Sequence, residues 1–210
     1  CKHVVFDAVH TFNGVKRKVR GMEYHMVDYM KDCVDTYQNV TGNSAATLKK
    51  ADSPFHPVLW GDRTHDGAAT HPKEYTDPQC DPSSPDWGAE EGVLAPQACS
   101  ILMKILYGAR LARWDLLKIV QLLASRVSKW TVGCDKALYK LMCYIDSTAE
   151  LVLAGFIGDD ASKLGLSLYA DADWAGDRDD YKSTSGTIIF LTGPYSSFPL
   201  SAKCAEQTIT

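Results

Sequence analysis

Between residues 95 and 147 the apolar side chains recur every three or four positions, and beyond residue 150 they alternate. That change of period dictates more about the fold than any other feature of the sequence. Ala98, Ile101, Leu102, Ile105 and Leu106 form one helical stripe. Asp115 stands where it can cap a second helix carrying Leu116, Ile119, Val120, Leu123 and Val127. Asp135 stands likewise before Leu138, Leu141, Met142 and Ile145. Further on, Leu164, Leu166 and Leu168 alternate with Gly165, Ser167 and Tyr169, the two-residue period of a strand. Thr187 to Thr192 and Leu200 to Gln207 are expected as two more strands of an antiparallel meander. Helices in one block and strands in another imply an α+β fold.

Upstream, His3 to Phe6 and Val15 to Tyr24 are expected as the arms of a β-hairpin, with Asn13-Gly14 at its turn. Both turn residues tolerate the positive φ that a tight hairpin needs. The second arm carries Lys16, Arg17, Lys18 and Arg20. Two readings of it stay open: a solvated edge strand blunted by charge, or a surface that contacts phosphates. Tyr24, Val27, Met30, Val34 and Tyr37 recur at helical spacing between Glu23 and Asn39, and Gly42 is the expected stop.

Seven of the nine prolines fall between residues 51 and 96, with few periodic apolar positions, which reads as a long connector. His56, His65, His71 and Cys80 lie in it, but their gaps lack the tight paired spacing of a zinc site. The expected organisation is a hairpin and helix over 1–50, a Pro-rich connector over 51–92, a helical segment over 93–155 and a strand-rich unit over 160–210.

An apolar content of 45% provides for a sizeable core, and a net charge of -4 means that any nucleic-acid binding needs a local basic face. Seven cysteines form no C-x-x-C pair, and several lie in helix-like segments as small hydrophobes, so a reducing compartment is expected. Asn39-Val40-Thr41 is formally a glycosylation sequon, but no signal peptide or membrane-length apolar run accompanies it. The expected location is intracellular, cytoplasmic or nuclear, with no membrane partner. The chain opens at Cys1 and closes at Thr210 without a start or stop signal, and is expected to be a piece of a longer protein.

The chemistry of the sequence concentrates in SLYADADWAGDRDDYKSTSG, residues 167–186, where Asp171, Asp173, Asp177, Asp179 and Asp180 crowd together. A calcium loop starting at Asp171 fails at its fifth position, Ala175, and its twelfth, Lys182. A polymerase Tyr-x-Asp-Asp turn fails because Ala172 follows Asp171. A two-metal nuclease uses a carboxylate on a rigid strand, and its ions activate water and steady the leaving oxygen. Asp171 closes the alternating strand, Asp173 would share its face, and the other three fall in the turn.

Tyr169-Ala170-Asp171-Ala172-Asp173-Trp174-Ala175-Gly176, followed by Lys182-Ser183-Thr184-Ser185-Gly186, closely resembles the start of the ribonuclease H domain of copia-type LTR retrotransposon polyproteins. Leu106-Tyr107 through Arg113-Trp114-Asp115, and Leu138 to Thr148, resemble segments upstream of that domain. The resemblance implies a helical connection following the polymerase palm, then an antiparallel three-stranded start of a ribonuclease H-like fold. It implies Mg²⁺-dependent hydrolysis of RNA in an RNA–DNA hybrid, with Asp171 as catalytic strand carboxylate and Asp171 and Asp173 as metal ligands. The implied partners are an RNA–DNA hybrid or other nucleic acid and the remainder of the polyprotein, with no small-molecule substrate. Lys16, Arg17, Lys18 and Arg20 are the candidates for backbone contacts. The sequence departs from the family at Trp114, Ala202 and Ala205-Glu206-Gln207, so Glu206 occupies a basic position and is not the catalytic glutamate. The family's remaining carboxylates lie downstream of Thr210, so this chain is expected to be inactive by itself. The competing reading is a non-catalytic remnant serving as an interaction or structural module.

Overall fold

The computed structural model describes residues 1–42, 48–56, 90–172 and 183–207. Strands β1 (Lys2–Phe12) and β2 (Val15–His25) form the hairpin, pairing antiparallel from Lys2↔His25 to Phe12↔Val15. Asn13 and Gly14 turn the chain with φ of 47° and 82°, both in the left-handed region. Helix α1 (Val27–Thr41) follows without a loop, since β2 continues to His25 and Met26 already precedes the helix. It ends at Gly42, whose φ of 68° suits a residue without a β-carbon.

The helical block contains α2 (Ala95–Leu111), α3 (Leu117–Ser125) and α4 (Val132–Ser147), with 3-10 turns at Trp114–Leu116 and Val127–Lys129. Their apolar stripes meet α1 in one core: Met30, Leu102, Ile105, Ile119, Leu123, Leu138, Leu141 and Ile145 are all sealed from solvent. Burying such side chains contributes about 1.5–3 kcal/mol each, which dominates the stability of this layer.

The two aspartates expected as helix caps do something else. Asp135 sits in the first turn of α4 and turns to the start of α2, accepting from the backbone N–H of Val93 at 2.7 Å and of Leu94 at 3.3 Å. Trp130 Nε1 also donates to it, at 2.7 Å. Asp115 lies within the 3-10 turn and pairs with Arg113, which is 1% exposed. The guanidinium donates to both Asp115 oxygens and to the Oγ1 and carbonyl of Thr148, tying the end of α2 to the end of α4. Tyr144 Oη closes the cluster with a 3.0 Å bond to Asp115.

Four further strands follow: β3 (Leu153–Ile157), β4 (Gly165–Ala172), β5 (Thr184–Gly193) and β6 (Ser196–Glu206). All six lie in one antiparallel sheet of order β1-β2-β3-β6-β5-β4. The sequence reading did not anticipate β3, whose five residues include Ala154 and Gly155 and carry little alternation. β3 joins the hairpin to the meander, pairing with β2 over five positions and with β6 only at Phe156↔Ser197. Side chains reinforce that narrow seam. Ser196 Oγ accepts from the N–H groups of Gly158 and Asp159, while Asp159 accepts from Ser196 Oγ and Tyr195 N, each at 2.7 Å.

Candidate functional site

Asp171 lies in the paired part of β4, opposite Gly186 of β5. Strand alternation puts it on the same face as Tyr169, with Ile188 of β5 and Ala202 and Cys204 of β6 as cross-strand neighbours. This face looks toward the helical block. Trp114, Leu117 and Lys118 form the opposite wall of a cleft of about 390 Å³ in which Asp171, Tyr169, Ile188 and Lys203 also line the surface. Phe190 props the Trp114 ring edge-on at 6.3 Å and packs against Tyr169 at 6.1 Å. Trp114 therefore helps to build the cleft. Its Nε1 is shielded from solvent and has no hydrogen-bond partner among the described residues.

The cleft brings one predicted site residue to its surface, Asp171, and that side chain is exposed. Asp173, the second expected ligand, lies outside the described residues, as do Asp177, Asp179 and Asp180. Glu206 ends β6 opposite Thr184. Among the described residues no three His, Cys, Asp or Glu side chains gather as a metal site. A single strand carboxylate does not fit a two-ion centre, which needs several such ligands around ions roughly 4 Å apart.

The basic residues divide between the two faces of β2. Lys16, Lys18 and Arg20 project from one face, opposite Thr11, Val9 and Asp7 of β1. All three are exposed and form no ion pair among the described residues. Arg17 projects from the other face, where its guanidinium lies 4.6 Å over the ring of Tyr195. Phe12 meets Tyr195 at 5.5 Å and Phe156 at 5.8 Å, and His10 stacks on Phe156 at 4.9 Å. Arg17 thus belongs to an aromatic cluster that docks the hairpin end on the β3 and β5–β6 region. A run of four cations in sequence does not distinguish these roles; strand register does.

Two proteins of Arabidopsis thaliana share sequence with the chain. The retrovirus-related Pol polyprotein from transposon RE1 is 41% identical over 56 residues, and that from transposon RE2 is 42% identical over 55. The similarity supports a retrotransposon Pol origin. The matched segments cover 27% and 26% of this chain and 4% of either Pol polyprotein. No family model and no solved structure matches. Among the described residues no helix is long and apolar enough to cross a membrane.

Proposed function

We propose that the chain is a fragment of a copia-type reverse transcriptase/ribonuclease H polyprotein, in which β4–β6 begin the ribonuclease H unit and the helical block is the connection before it. The observation that carries this reading is Asp171, a carboxylate fixed in a paired strand and presented to an open cleft. In a complete domain it would be one ligand of a Mg²⁺ pair acting on the RNA strand of a hybrid. Lys16, Lys18 and Arg20 form the nucleic-acid contact surface, because phosphate binding requires clustered cations that are not already neutralised. Among the described residues the cleft has one carboxylate, too few for turnover, so the isolated chain binds hybrid without cleaving it.

One pair of measurements tests both halves. Incubated with an RNA–DNA hybrid and Mg²⁺ or Mn²⁺, the chain leaves the RNA intact; cleavage abolished by Asp171→Asn would refute the inactivity. Hybrid affinity falls steeply with salt, and neutralising Lys16, Lys18 and Arg20 together reduces the log–log slope by about 2–3. Arg17→Gln changes that slope less, since Arg17 is engaged with Tyr195. An unchanged slope in the triple variant rules out this surface.

A further inference from the structure

We propose that the outer edge of β4 pairs with the same edge of a second copy of this chain, joining two sheets into one. The inference does not depend on the Pol reading of the β4 cleft. β4 ends the sheet, and β5 is its only strand partner among the described residues. The register with β5 runs unbroken from Gly165↔Thr192 to Ala172↔Ser185. On the other edge of these 8 residues, a row of backbone N–H and C=O groups about 27 Å long has no strand partner among the described residues.

Sheets ordinarily blunt such an edge with lysine, proline, a bulge or a covering element. β1, the opposite edge, carries Lys2, His3, Asp7 and His10. Among the described residues β4 has none of these devices. Its sequence, GLSLYADA, contains no lysine, arginine or proline, and Asp171 is its one charged residue. Leu166 is 72% exposed, Leu168 65% and Tyr169 61%, so apolar side chains stand bare on both faces of the edge strand. All of β4 except Ser167 is exposed, so the helical block does not overhang it.

β4 matches itself. Antiparallel pairing about a two-fold axis at Leu168 sets Leu168 against Leu168, Leu166 against Ala170, Ser167 against Tyr169 and Gly165 against Asp171. This register engages the strand over its full length and brings the exposed leucines together. Facing residues share a side of the sheet, so Leu166, Leu168 and Ala170 of both copies form one apolar row on the face away from the helical block. That row continues onto Leu191 and Ile189 of β5, their cross-strand neighbours. Each Asp171 meets a glycine, and the two carboxylates lie about 20 Å apart along the strands, so no like charges are opposed. One strand pair is small beside the roughly 1,200–2,000 Å² of stable interfaces, so the dimer forms at high protein concentration and dissociates on dilution.

Sedimentation equilibrium of the full chain over a range of concentrations should show monomer converting to dimer and nothing larger. Leu168→Lys opposes like charges at the axis and should weaken association about tenfold, with the far-UV circular dichroism unchanged. The register is read by mild oxidation in a Cys1→Ser/Cys99→Ser background, which removes two exposed thiols. Leu168→Cys should cross-link to itself, since facing α-carbons of a strand pair lie about 4.5–5.5 Å apart, within disulfide reach. Leu166→Cys alone should not, because its two copies lie about 14 Å apart along the strands. Mixed with Ala170→Cys, it should. A chain that stays monomeric overturns the proposal, as does one that grows into larger assemblies by pairing β4 with β1. So does association that Leu168→Lys leaves unchanged, or equal cross-linking of Leu166→Cys by itself.

Discussion

Cys33 and Tyr37, on the buried face of α1, couple this fold to pH. Burial pushes the Cys33 thiol from its ordinary 9.0 up to about 12, and the Tyr37 phenol from 10.0 up to about 12. Both acids are held neutral in the folded chain, while the unfolded chain ionises them at their ordinary values. The stabilisation is therefore complete below pH 9 and is lost as pH rises from there toward 12. Urea midpoints measured across that range should fall, and Cys33→Ala should make the decline between pH 9 and 10 shallower. At the same scale, Arg113 is a buried cation whose partners hold two helix ends together. Arg113→Ala should cost about 3 kcal/mol in denaturant unfolding, because it strands the Asp115 and Thr148 acceptors. Arg113→Lys should recover only part, since an ammonium cannot reproduce the fork. The sequence marks Asp115 and Asp135 as useful acceptors near helix starts. Which donors they serve depends on the packing of α2 against α4, and no local pattern encodes that.

The elements themselves are far more legible than their partners. Periodicity locates the buried stripes of α1, α2, α3 and α4, because a helix exposes its pattern over several turns. The hairpin turn is legible for a similar reason: Asn13-Gly14 has the backbone freedom its φ values require. β3 escapes, being five residues long with Ala154 and Gly155 inside it. The faces of β2 escape too, since alternation divides the basic residues only once the register is known. Gly21 shows how tightly that register is held. A β-carbon there would run into the ring of Phe6, its cross-strand partner, which covers the glycine. Gly21→Ala should therefore destabilise the chain by about 1–3 kcal/mol in thermal or urea unfolding. Truncating the ring as well, in Phe6→Ala/Gly21→Ala, should remove the clash, and the double mutant should lose less than the sum of the two single changes.

Across the whole molecule, the candidate site is legible only at its first carboxylate. Asp171 stands out because it closes an alternating strand, and the cleft that receives it is formed by Trp114, Leu117 and Lys118, distant in sequence. The larger surprise is that the first hairpin and the last meander share one sheet, which segmentation into blocks along the chain does not suggest. They meet through β3, the Asp159–Ser196 bonds and the Arg17–Tyr195 contact. That arrangement has a consequence during synthesis. A ribosome delivers β2 long before Leu153, its partner for Tyr24, and β6 last of these six strands. The hairpin must wait with one edge unsatisfied while the helical block is made, and the sheet closes only when the final strands emerge. The nascent chain is thus most prone to wrong pairing during the interval between the two.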